Sequence, residues 1–87
     1  MAAHSPASEP DATPLAQLNL RGTPCPVNFI RSRLALEKLP PGGLLQVDLD
    51  AGEPEQMVAE GLRNEGHGVV VEILPSGGVR LLIRRGP

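Results

Sequence analysis

Leu45, Val47 and Leu49 alternate with Gln46, Asp48 and Asp50, the period of a strand with one buried face. Val79, Leu81 and Ile83 alternate in the same way with Arg80, Leu82 and Arg84 in a strand over 79–85. Gln17-Leu18-Asn19-Leu20 and residues 67–74 read as two more strands. Between these segments the period lengthens. Phe29, Ser32, Ala35, Leu36 and Leu39 fall on one side of a helix over 26–39, which Pro40-Pro41-Gly42-Gly43 ends sharply. Ala51-Gly52-Glu53-Pro54 leads into a second helix, with Pro54 near its first turn and Gly66 as its C-terminal cap. Met57, Val58, Gly61, Leu62 and Glu65 trace its inward side; Gly61 stands where a larger apolar residue is expected, which would loosen that helix. Pro75-Ser76-Gly77-Gly78 joins the last two strands as a hairpin with a four-residue loop.

The order strand–helix–strand–helix–strand–strand predicts a two-layer α/β sandwich. Right-handed crossovers bring both helices to one face of a four-stranded mixed sheet. The alternation within the strands agrees, since it marks a sheet covered on one side only. Residues 1–15 are rich in Ala, Ser and Pro without apolar periodicity and read as a disordered tail. Residues 16–87 then form a single domain.

Composition narrows the chemistry. The chain has 87 residues and one cysteine, which excludes an internal disulfide and a Cys-x-x-Cys redox pair. His4, His67 and Cys25 have no ligand-like spacing, so neither a metal nor any other cofactor is expected. Net charge is −2 and Phe29 is the sole aromatic residue. With neither a basic stripe nor stacking platforms, direct nucleic-acid binding is not expected. No run reaches membrane length and no apolar leader follows Met1, so a free thiol in the cytoplasm is the expectation.

That thiol has a telling position. Cys25 lies in Gly22-Thr23-Pro24-Cys25-Pro26, where the first strand gives way to the first helix. Proline favours the first helical position, which makes Pro26 the expected N1 residue and Cys25 the N-cap. Thr23, preceding Pro24, is expected to be extended. At a helix start, unpartnered N–H groups and the helix dipole favour an anion, and thiolates there form more readily. A lone cysteine is otherwise most often a small buried apolar residue. The flanking prolines at a strand end weigh against that, because such a place is a rim.

Neighbouring residues admit more than one reading each. The amide of Asn28, at the third helical position, either hydrogen-bonds the sulfur or fills out the first turn. Arg21 and Arg31 supply positive potential near the thiol, dock an acidic partner, or are simply solvated. His67 invites an acid–base role, although a histidine opening a strand after a capping glycine is more often structural. Val27, Ile30 and Leu34 form a second apolar stripe on the first helix, either a docking surface or a sign of a helix buried more deeply, as by an oligomer contact.

Leu20-Arg21-Gly22-Thr23-Pro24-Cys25-Pro26, the helix with Ala35-Leu36 and Leu39, Pro41-Gly42, the strand ending in Asp50, and Gly66-His67 together resemble the TusA/SirA sulfur-carrier family over roughly residues 18–85. The family motif is Cys-Pro-x-Pro. Asn28 replaces the second proline here, resembling a branch written Cys-Pro-x-Asn-Phe, and Asp50-Ala51-Gly52-Glu53-Pro54 replaces the usual Asp-Asp-Pro run. The resemblance implies a βαβαββ fold and a sulfurtransferase function. Cys25 would take sulfane sulfur as a persulfide from a cysteine desulfurase or another sulfurtransferase. It would pass the sulfur to an acceptor protein for tRNA thiolation, cofactor synthesis or other sulfur traffic. Arg21, Gly22, Pro24, Pro26 and Asn28 would shape the thiolate environment, and Val27, Ile30, Arg31 and Leu34 the partner surface.

Two rival readings belong to other classes. One is a non-catalytic interaction module of the same fold whose cysteine is incidental. The other is a redox-sensing thiol that forms a mixed disulfide or sulfenic acid.

Overall fold

The alternating apolar residues of the strands converge on one side of one sheet. The computed structural model describes residues 13–87, and residues 1–12, most of the expected tail, lie outside it. Strands β1 (Ala16–Asn19), β2 (Leu44–Asp50), β3 (Gly68–Ile73) and β4 (Gly78–Arg84) alternate with helices α1 (Val27–Glu37) and α2 (Glu53–Asn64) in the order βαβαββ. The sheet order is β1-β2-β4-β3. β1 runs parallel to β2, while β4 is antiparallel to both β2 and β3. This is the two-layer sandwich with a mixed sheet that the periodicity predicts.

Leu45, Val47 and Leu49 of β2 and Val79, Leu81 and Ile83 of β4 form the floor of the core. Leu20, Leu36, Val58, Ala59 and Leu62 close it from above. The opposite side of the sheet carries the alternating polar set. There Asp48 accepts from Arg80 Nε at 2.9 Å and Nη2 at 3.3 Å. This bond holds the Arg80 guanidinium above its already high ordinary pKa.

Element ends shift slightly from the sequence reading. β1 begins at Ala16 and ends at Asn19, but Leu20 N–H still donates to Asp48 O at 2.8 Å, continuing the ladder one residue further. Upstream, Leu15 N–H donates to Leu44 O at 2.8 Å. α2 starts as expected, with Pro54 in its first turn and the Glu55 carboxylate accepting from Gly52 N–H at 3.4 Å.

α1 shows the largest difference. Its fully buried residues are Asn28, Ser32 and Leu36, a stripe at i, i+4 and i+8, whereas Phe29, Ala35 and Leu39 are only partly buried. Ser32 and Leu36 lie on the side that the helical spacing predicts, whereas Asn28, a polar residue off that pattern, is not expected inside from the sequence. Ser32 Oγ is satisfied within the helix, donating to Asn28 O at 2.9 Å.

Gly61 does not leave a gap. A Cβ there would lie 2.6 Å from Phe29 Cε1, so the missing side chain admits the aromatic ring and brings α1 close to α2. Arg33 strengthens the same contact further along, 3.4 Å from Glu65 and 3.8 Å from Glu37. Residues 29 and 61, and then 33 and 65, therefore face each other in step. The two helices run parallel, and their N-terminal ends lie at one end of the molecule.

Candidate functional site

At that end the chain leaves β1, turns, and enters α1 through Cys25. The turn follows from residue type and position. Thr23 N–H donates to Leu20 O at 3.0 Å, and Gly22 adopts φ +77°, a left-handed conformation that glycine takes without strain. Gly22 N–H then donates to the Asp50 carboxylate at 2.7 Å. Arg21 N–H donates to Asn19 Oδ1 at 3.2 Å. The Arg21 side chain reaches within 3.9 Å of Asp48 and passes so close to Gly78 that a Cβ there would meet its Nε at 3.3 Å. Arg21 is thus tied back to the open face of the sheet.

Helix α1 starts one residue later than the prolines suggest. Val27 is its first residue and Pro26 its N-cap, following a cis Cys25–Pro26 peptide, so Cys25 precedes the cap instead of forming it. The first-turn amides are partly engaged. Asn28 N–H donates to Pro24 O at 3.1 Å and Phe29 N–H to Asn28 Oδ1 at 2.6 Å. Val27 N–H keeps no acceptor among the described residues. It remains available, with the helix dipole, to an anion at the helix start.

Cys25 is a free, exposed thiol. Beside it opens a cleft of about 210 Å³ lined by Cys25, Pro26, Phe29, Met57 and Gly61. Its wall is almost wholly apolar, and its back is the Phe29 ring seated on Gly61. Sequence reasoning missed Met57 and Phe29 as neighbours of the thiol, because it assigned both to the interior. The helical spacing did place them correctly on the facing sides of α1 and α2, but Met57 is 55% exposed at the end of that interface.

Asn28 is fully buried, and its Nδ2 has no hydrogen-bond partner among the described residues, the sulfur of Cys25 included. The amide therefore does not bond the thiol, and being buried it offers no surface to a partner. Val27, Ile30 and Leu34 are 44%, 47% and 52% exposed, so the second stripe of α1 is open surface and not hidden core. Arg31 is exposed beside them.

His67 lies elsewhere. Its Nδ1 accepts from Gly86 N–H at 2.9 Å, and its own N–H donates to Leu62 O at 3.1 Å. It lines a cleft with Arg33, Leu36, Glu37, Glu65 and Arg85 at the C-terminal ends of the helices. An 11-residue helix is about 16 Å long, so His67 is remote from Cys25. Among the described residues no group of His, Cys, Asp and Glu could hold a metal ion, and no helix is long and apolar enough to cross a membrane.

A two-layer βαβαββ domain with an exposed cysteine between strand and helix defines a class, and comparison with known proteins identifies it. The model of the family described as sulfurtransferase TusA matches residues 16–85, and the chain belongs to that family. A protein of Archaeoglobus fulgidus named "Putative sulfur carrier protein" is 36% identical over 53 residues, which is 61% of this chain. The match spans 60% of that relative's length. The crystal structure of a SirA-like protein from Desulfitobacterium hafniense superposes with a TM-score of 0.75 at 22% identity, covering 84% of this chain and all of the other, and shows the same fold.

Proposed function

We propose that the protein carries sulfane sulfur as a persulfide on Cys25. The observation that supports this most is the placement of a single free thiol, exposed at the rim where β1 ends and α1 begins. The chemistry requires little else. In loading, the Cys25 thiolate attacks the outer sulfur of a donor persulfide. A bond forms between Cys25 Sγ and that sulfur, the donor's S–S bond breaks, and the donor leaves as a thiolate, with no net oxidation. Discharge repeats the exchange: an acceptor thiolate takes the outer sulfur and Cys25 leaves as thiolate.

Such exchange needs two sulfurs brought together, and therefore a docking surface. Val27, Ile30 and Leu34, with Arg31 as the charged contact, suit a protein partner with apolar and acidic groups around its own cysteine. A cysteine desulfurase or another sulfurtransferase is the proposed donor, and a protein thiol the acceptor. A compartment reducing enough to preserve a free thiol, the cytoplasm, fits this role.

The test is transfer of labelled sulfur from a desulfurase, charged with cysteine, to a second protein thiol. Transfer that depends on this chain and disappears in Cys25→Ala supports the reading. Transfer that continues in Cys25→Ala makes the domain an interaction module instead.

A further inference from the structure

We infer that Asp50 is a positioning residue for Cys25, acting through the backbone of Gly22. The inference rests on the carrier reading for its meaning, although its geometry stands apart from it. Asp48 and Asp50, two positions apart on β2, lie on the same side of the sheet. They hold successive residues of the turn that leads to the thiol. Asp48 faces the Arg21 side chain at 3.9 Å, and its backbone carbonyl accepts from Leu20 N–H at 2.8 Å. The Asp50 carboxylate takes Gly22 N–H at 2.7 Å.

Other contacts along the turn are short-range. Thr23 N–H closes onto Leu20 O, and Asn28 N–H onto Pro24 O. These bonds shape the turn but do not tie its middle to the sheet. The bond from Gly22 to Asp50, 28 residues distant in sequence, does. The partner of Asp50 across the antiparallel pair is Gly78, whose missing side chain leaves room for Arg21 to lie there. The end of β2 is thus shaped to receive Arg21 and Gly22 together.

Gly22 and Asp50 are both exposed, so their bond adds little to global stability. Its effect is on where the turn sits. Because Cys25 is three residues further on, freeing Gly22 lets the thiol drift from the start of α1 and from the cleft beside it. Displacement of a reacting atom lowers the rate far more than it lowers stability.

The experiment compares wild type, Asp50→Ala and Asp50→Asn in three readouts: Gly22 amide hydrogen exchange, the rate of Cys25 alkylation by iodoacetamide at fixed pH, and single-turnover sulfur loading from a persulfide-charged rhodanese. Asp50→Asn keeps an acceptor oxygen and lacks the charge. The expected result for Asp50→Ala is rapid Gly22 exchange, a Cys25 alkylation rate that differs from wild type, and a maximal loading rate reduced about tenfold with the half-saturating donor concentration unchanged. Asp50→Asn should stay close to wild type in all three. Thermal melts read folding separately, and Asp50→Ser replaces Asp50→Ala if the latter does not fold. Unchanged alkylation and loading rates in Asp50→Ala, or an Asp50→Asn that matches Asp50→Ala, overturn the inference. If wild type takes no sulfur at all, the carrier reading fails, while Gly22 exchange and alkylation still decide the role of Asp50.

Discussion

The ring of Phe29 occupies the space that Gly61 leaves by having no side chain: a Cβ on Gly61 would stand 2.6 Å from Phe29 Cε1 and 3.1 Å from Cδ1. One absent methyl group on α2 thus sets how closely α1 approaches and how the cleft beside Cys25 is backed.

Gly61→Ala tests that relationship. Alanine in mid-helix is ordinarily worth up to about 1 kcal/mol over glycine. Here the ring must move, and overpacking of this kind costs about 1–3 kcal/mol. The expected outcome is a net loss of about 1–2 kcal/mol in urea unfolding, where an exposed helical site would gain. A stabilised Gly61→Ala protein would mean that Phe29 does not rest on Gly61.

The sequence showed a good deal of this and hid the rest for identifiable reasons. Strand alternation in β2 and β4 was legible because each keeps one strictly apolar face, and that face is the core floor. The rim position of Cys25 was legible from its prolines. Ser32 and Leu36 of the inner stripe of α1 were legible from their helical spacing, but Asn28 was not, since it is a buried polar residue that no apolar pattern marks. Nor was the pairing of Gly22 with Asp50, because a hydrogen bond spanning 28 residues leaves no local signature. Gly61 read as a loosened helix because its compensation, an aromatic ring, comes from another element.

Asn28 carries the second prediction. Its Nδ2 is buried without a partner, a situation that costs about 1–3 kcal/mol. Replacing it by a residue of similar size with no polar atoms forfeits the 2.6 Å bond from Phe29 N–H but removes that cost. Asn28→Val should therefore change unfolding free energy by no more than about 1 kcal/mol in either direction. A loss of about 3 kcal/mol or more would show that the amide is fully satisfied in the folded protein.

The exposed stripe of α1 supplies the third. Ile30 and Leu34 stand about half exposed, at 47% and 52%, so placing aspartates there breaks little packing. The Ile30→Asp, Leu34→Asp double variant should melt near the wild-type temperature, within about 0.5 kcal/mol per site. Its loading from a donor protein should fall about tenfold in kcat/KM, as loss of a central apolar contact does. Loading from a small inorganic polysulfide, which needs no docking, should persist. Equal loss from both donors would place the defect at Cys25 and not at a docking surface.

The most direct measurement of the central claim is the intact mass of the protein after incubation with a cysteine desulfurase and cysteine, repeated after adding a reductant. The account predicts a gain of one sulfur that the reductant reverses and that Cys25→Ala does not show. A wild-type protein whose mass stays unchanged with the desulfurase, and also with thiosulfate-charged donors, would contradict it.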